Sequence, residues 1–355
     1  MRIYPLDALR GIAAVSVMLF HLTYWVTPYR TEFAFPYGHF GVELFFMISG
    51  FVIFMTLGKV DHVQDFIASR MGRLYPAFWA GAILTCSLCT LIETVDPSIK
   101  AWGGSFADLP INLTMLQEYL NGPYNVPIDL AYWTLSAEIM FYIVMGTIFC
   151  FGCLPKIDRI CVGYMVALHA LRLAVFAAGL HMPPPFAWFS LINYGHFFII
   201  GIALFRLRSG VRSAAVVAAL VLAVLYSAWG GTERSQSISG VPYLLVTASL
   251  ATVMALAVFD RLPFLAWRPL VFLGNISYPL YLVHQRIGSD IMFYLQGRQV
   301  SIYVSTCLAI LVAFIFATLI HYRVERRYGL RLRRIVQAYL RRLTGTMSQG
   351  LPEAG

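Results

Sequence analysis

The chain has 355 residues, 59% of them hydrophobic and 12% charged, with a formal net charge of +9 and a mean hydropathy of +0.72. Soluble domains average roughly 45–50% apolar and about 25% charged residues, so the composition excludes a mainly soluble protein and predicts a polytopic membrane protein. Short alternating strands separated by turns do not occur, which excludes a β-barrel; the fold class expected is all-α.

Apolar windows of roughly 20 residues predict ten transmembrane helices, near 9–26, 40–58, 74–95, 133–153, 159–179, 185–205, 213–229, 241–259, 270–290 and 302–322. The first window is too long for a cleavable signal peptide and no A-x-A-like site follows it, so it reads as a retained helix. Of the 26 basic residues, 20 fall in connections on one side, 5 on the other and one, Arg172, inside a span. The positive-inside rule then puts both termini in the cytoplasm. Because the basic residues flank spans, nucleic acid is not an expected partner.

Residues 1–326 read as one membrane-embedded domain. Residues 327–355 read as a basic amphipathic cytoplasmic tail, disordered after Thr344. Leu332, Ile335, Val336, Tyr339 and Leu343 recur there at helical spacing, as in an interfacial helix on anionic membrane lipid. The longest connection, Asp96 to Tyr132, is broken by prolines and glycines. It is either a solvated loop or a cradle for an external substrate. Asn112-Leu-Thr114 inside it matches a glycosylation sequon. The pairs Cys86/Cys89 and Cys150/Cys153 resemble zinc half-sites, but their depths differ, and they read as packing residues with no metal.

Ionisable residues inside spans mark pathways or reaction sites. On the first helix, eleven steps of 100° bring His21 about 20° from the face of Arg10 and roughly 16 Å further along. One stripe therefore carries a cation at its cytoplasmic end and an imidazole, a natural proton acceptor, past mid-membrane. Glu43 opens the second span and Glu138 lies in the fourth. Counted from the cytoplasmic ends, His21, Glu43 and Glu138 lie at about 18, 25 and 22 Å. A His–carboxylate dyad is expected, with either acid as the partner of His21. Arg70 and Arg73 share a face at a cytoplasmic helix start, a geometry suited to bidentate phosphate contacts. Ser277, Tyr281 and His284 form a polar stripe in the ninth span, with Pro279 kinking the helix.

These residues sit in LDALRGIAAVSVMLFH, VELFFMISGF, Arg70-Met-Gly-Arg73-Leu-Tyr-Pro, WTLSAEIMFY, GNISYPLYLVH and Tyr322-Arg-Val-Glu325-Arg. In that order, over residues 5 to about 328, they resemble the acyltransferase 3 family of integral membrane acyltransferases, and especially its exopolysaccharide O-acetyltransferase branch. The second-helix acid, often Asp in that family, is Glu43 here. The resemblance implies an enzyme of the bacterial inner membrane. It would transfer an acyl group, usually acetyl, from cytoplasmic acyl-CoA to a hydroxyl of an extracytoplasmic or polyprenyl-linked glycan, with no tightly bound cofactor. Arg10, Arg70 and Arg73 would hold the CoA phosphates. His21, oriented by Glu43 or Glu138, would activate the acceptor, and Ser277, Tyr281 or His284 would steady the acceptor or the oxyanion. A transporter or flippase of a lipid-linked sugar, a non-catalytic subunit of a polysaccharide assembly complex, and an O-acyltransferase acting on a small molecule are the alternatives.

Overall fold

The structure is a computed structural model that describes residues 3–25, 33–99, 103–120, 126–180, 190–229 and 239–344. Regular structure among them is helical throughout. The helices are α1 (Tyr4–Phe20), α2 (Gly41–Leu57), α3 (Val63–Val95), α4 (Leu109–Asn112), α5 (Gln117–Leu120), α6 (Trp133–Cys150), α7 (Ile157–Ala177), α8 (Ser190–Arg208), α9 (Ala214–Tyr226), α10 (Val241–Val258), α11 (Arg268–Val283), α12 (Gln285–Gln296), α13 (Ile302–Leu319) and α14 (Arg326–Leu343). The chain is an all-α, polytopic membrane protein.

Eight helical stretches among the described residues are long and apolar enough to cross a membrane. Two of the ten windows take another form. The stretch 214–229 is a shorter apolar helix. The window 270–290 breaks at His284 into α11 and α12, and the carbonyls of Leu280 and Tyr281 in the last turn of α11 meet the His284 imidazole. The end of the bundle that carries Arg10, Arg70 and Arg73 is called here the basic end, and the opposite one the far end.

Apolar surface gives helices little reason to associate inside a bilayer, so backbones pack at small residues. α1 and α11 run in parallel and meet at Gly11 and Gly274. A Cβ at Gly11 would lie 2.6 Å from the Gly274 nitrogen, and one at Gly274 only 2.0 Å from the Asp7 carbonyl oxygen. α3 and α14 meet in the same way, with a Cβ at Gly72 falling 2.6 Å from the Gly329 oxygen. α14 is further tied to α3 by Gln337 and Arg341, which both donate to the Asp65 carboxylate. The amphipathic helix expected after residue 326 is therefore docked along α3. Its Ile335, Tyr339 and Leu343 remain exposed. The tail beyond Thr344 lies outside the described residues.

The described residues of the long far-end connection, 96–99, 103–120 and 126–132, form a folded plug. Asn112, Met115, Gln117, Ile128 and Asp129 are all fully buried. The Asn112 amide donates to the carbonyls of Asp108 and Val126 and accepts from the Ile128 N–H, so the sequon asparagine is committed to the fold. Tyr75 and Trp79 of α3 donate to the carbonyls of Thr114 and Leu113, and Ser136 of α6 to that of Met115. Irregular backbone at such depth is tolerated where protein satisfies its polar groups. Arg286, 2% exposed, pins the plug to α12. Its Nη1 donates to the carbonyls of Gly104 and Ile128 and its Nη2 to Glu93, while Asp129 Oδ2 accepts from its backbone N–H. Burial pushes the Asp129 carboxyl up to about 6.

Candidate active site

The closest meeting of candidate residues is between two histidines. α1 and α11 cross at Gly11 and Gly274, and each carries a histidine ten residues further on, about 15 Å along. The equal rise of parallel helices brings them level. His21 Nδ1 lies 2.8 Å from His284 Nε2, with the rings stacked at 5.0 Å. Beyond Phe20, α1 widens into a π-helical turn, His21–Trp25, a distortion common at functional sites.

The hydrogen bonds define the tautomers. His284 Nδ1 lies 2.9 Å from the Tyr281 carbonyl oxygen and 3.1 Å from that of Leu280. Carbonyls only accept, so this nitrogen carries the proton and His284 Nε2 presents a lone pair. His21 Nδ1 must then donate to it, which leaves a lone pair on His21 Nε2. The arrangement is that of an imidazole held by a hydrogen-bond acceptor behind it, with its second nitrogen left free to accept a proton. Tyr281, whose ring lies 5.6 Å from His284, anchors this wall of the site. Its hydroxyl contacts Thr134 Oγ1 at 2.8 Å and donates to the Ala131 carbonyl. Ser277 does not join the group: its buried hydroxyl donates to the Gly274 carbonyl of its own helix.

Neither carboxylate is the hydrogen-bond partner of His21, so the expected His–carboxylate dyad is a His–His pair in the structure. Glu43 Oε1 accepts from Tyr243 of α10 at 2.8 Å, and its Oε2 is buried with no partner among the described residues. Glu138 Oε1 accepts from Ser49 and Tyr142. Its depth differs from the expected one for a physical reason. The plug occupies the far end above α6, so α6 starts deeper and Glu138 falls at the level of Ser49, in the middle of α2. Tyr142 and Tyr278 connect it electrostatically to Arg70 and Arg73.

The second cluster is cationic. Arg10 and Arg70 lie within electrostatic range of Arg73, so the three arginines predicted as a group converge from α1 and α3. Arg73 pairs with Glu325, whose second oxygen lies 2.9 Å from His321 Nδ1. Three guanidinium groups share that one bonded carboxylate among the described residues, an imbalance that favours an anion. Arg10 and His21 share the stripe on α1, about 16 Å apart.

Sequence reasoning missed several residues here. His39, on the short helix Pro36–Phe40, lies within electrostatic range of His21, and its Nε2 is buried without a partner among the described residues. Tyr243, Ser49 and Tyr142, which hold the two carboxylates, carry no charge or spacing signal. Glu325 was visible only as part of a closing motif, and His321, one residue before it, was not singled out. One signal was available for the histidine pair: both helices read Gly, nine residues, His.

The fold defines a class, the polytopic helical membrane proteins, here with a cation cluster toward one end and a hydrogen-bonded histidine pair deeper in the bundle. The chain belongs to the acyltransferase 3 family: the family's model, described as an acyltransferase domain, matches residues 3–322. It is similar to "O-acetyltransferase OatA" of Staphylococcus aureus, 25% identical over 346 residues, covering 84% of this chain and 53% of that protein. It is also similar to "Putative O-acetyltransferase SACOL0978" of the same species, 25% identical over 370 residues, covering 92% of this chain and 57% of that one. A third relative is "Putative acetyltransferase ORF330" of Acidianus two-tailed virus, 22% identical over 289 residues, covering 78% and 80%. The chain thus spans little more than half the length of the staphylococcal relatives. No solved structure gives a significant match.

Proposed function

We propose that the protein is a membrane O-acyltransferase that moves an acyl group, most simply acetyl, from acyl-CoA at the basic end to a hydroxyl of a glycan at the far end. The observation that carries this reading is the pairing of two levels on one helix. The Arg10, Arg70 and Arg73 cluster suits the phosphates of CoA, and His21 Nε2 lies about 16 Å further along α1, a gap that an extended pantetheine arm can bridge. The names of the relatives support transfer to oxygen. The positive-inside bias supports a cytoplasmic basic end, with both termini on that side, and the family resemblance favours a bacterial inner membrane. Residues 1–326 form the catalytic domain, with the α14 tail as its cytoplasmic appendage.

In the proposed step His21 Nε2 removes the proton of the acceptor hydroxyl. The oxygen attacks the thioester carbonyl, a C–O bond forms, the C–S bond breaks, and the proton passes from the imidazolium to the departing CoA thiolate. His284 Nε2 holds the Nδ1 proton throughout, which keeps Nε2 aimed at the acceptor. Glu43, with its unpartnered Oε2, is available to the acceptor. Glu138, set among Ser49, Tyr142 and the arginines, positions the donor channel. The test is acyl transfer from acetyl-CoA to an oligosaccharide across proteoliposomes. Acetylated product inside vesicles given acetyl-CoA only at the cytoplasmic face supports the reading. Glycan movement without acetylation favours a flippase.

A further inference from the structure

A second polar cluster lies at the far end of α7, α8 and α9, apart from both levels of the active site. Arg172 stands on α7, 14 residues or about 21 Å beyond Asp158, which pairs bidentately with Arg206 at the basic end. Asn193 of α8 is 13 residues from Arg206, about 20 Å, so the two side chains arrive at one level. Arg172 Nε donates to the Tyr226 hydroxyl at 3.0 Å and Nη2 to Asn193 Oδ1 at 2.8 Å. The guanidinium lies 5.7 Å from the Tyr226 ring centre. Three of its five N–H groups remain without a protein acceptor among the described residues, and no carboxylate pairs with it there. His169 lies beside it on α7, held by the Leu222 carbonyl and Trp229. His196, 2% exposed, stands 5.1 Å from the Tyr226 ring and within electrostatic range of Arg172 and His169. Both its ring nitrogens are buried without a partner among the described residues.

An arginine held rigidly by neutral groups, with donors to spare, is a preorganised anion receptor. Arg172 is five residues, about 8 Å, from the end of α7, which is also the end of a candidate membrane span. We propose that Arg172, with His196 and Asn193, binds the phosphate of a lipid at the far-end surface. Neutral clips would make a charged arginine unnecessary for packing alone, since a lysine-free, acid-free contact between helices needs no charge, and a charge there is costly. Aromatic contacts run from this site toward the catalytic pair. Tyr194 follows Asn193 and packs on Trp133 at 5.0 Å, next to Thr134, which bonds Tyr281 beside His284. The inference deepens the acceptor half of the proposed function and rests on it only where the lipid carries a saccharide.

The experiment measures lipid binding to the purified protein by native mass spectrometry, with a polyprenyl monophosphate, phosphatidylglycerol and phosphate-free diacylglycerol as probes. Wild type should retain both phosphate lipids in preference to diacylglycerol. Arg172→Gln should weaken that retention about 10- to 100-fold, the usual effect of losing a charge-assisted contact. His196→Phe should weaken it less, and Arg298→Gln, outside this cluster and paired with Asp96, should leave it unchanged. A polyprenyl phosphate held more tightly than phosphatidylglycerol identifies the acceptor's anchor as the ligand; equal affinities identify phospholipid headgroups. Wild-type retention by Arg172→Gln, or no preference for phosphate in wild type, overturns the proposal. If Arg172→Gln is not recovered folded, His196→Phe decides, and unchanged binding there overturns it. Acetyl-CoA turnover does not enter the readout, so failure of this site and failure of the acyltransferase reading are told apart.

Discussion

Substituting Gly274 tests whether the crossing of α1 and α11 sets the catalytic geometry. A Cβ at Gly274 would meet the Asp7 carbonyl oxygen at 2.0 Å. Backbone cannot swing aside, so the helices must part by about 1.4 Å to reach ordinary contact at 3.4 Å. A rigid parting of that size carries the histidine contact from 2.8 Å past hydrogen-bonding range. Overpacking costs about 1–3 kcal/mol, which a bundle of this size tolerates. Gly274→Ala should therefore reach the membrane with a lowered Tm and lose transfer about 10- to 100-fold, the usual effect of releasing an orienting partner. Gly11→Ala needs only about 0.8 Å of relief, since its Cβ would meet Gly274 at 2.6 Å, and should be milder on both counts. The assay pairs thermal unfolding with acetyl transfer by the purified proteins. Full activity in Gly274→Ala, or a larger defect in Gly11→Ala, refutes the reasoning.

Arg73→Lys keeps the charge but loses the planar fork; it should raise the KM for acyl-CoA with kcat less affected, and Glu325→Gln, which frees Arg73 from its partner, should change donor KM and leave acceptor KM alone. His284→Phe removes the acceptor that orients His21 and should cut transfer about 10- to 100-fold, whereas acyl-CoA binding by calorimetry should be near that of wild type. The Asp129 carboxyl, pushed by burial from 3.8 to about 6, has a folded-state pKa above its unfolded one. Its contribution to stability is therefore full below about pH 4 and lost as pH rises through about 6. Between pH 4 and 7 the Tm of wild type should fall relative to that of Asp129→Asn, and a constant difference would remove this group from the pH response.

The helical, membrane-embedded character was legible because hydropathy reports burial in lipid directly. The arginine cluster was legible too: Arg10 shares a stripe with His21, and Arg70 and Arg73 share a face. Depth inside the bundle was less legible. Counting residues from helix ends placed Glu138 beside His21, but α6 starts beneath a plug whose burial depends on Arg286 and Asn112 finding distant carbonyls. The partner of His21 was hidden for a related reason. Acid–imidazole pairing is the common chemistry, and recognising His284 instead requires knowing that α1 and α11 run in parallel and touch at two glycines. Polar residues without charge, such as Ser49, Tyr142 and Tyr243, leave no periodic trace in a span and emerge only from tertiary contacts.

The account turns on the lone pair of His21 Nε2. Gln has similar bulk and can still donate to His284, but it binds no proton at neutral pH. The direct measurement is acetyl transfer to a glycan acceptor by purified His21→Gln and wild type, with acetyl-CoA binding measured separately on both. The variant should fold, bind acetyl-CoA with near-normal affinity and lose about 10²–10⁴-fold in transfer rate. Transfer at the wild-type rate by His21→Gln would contradict the account.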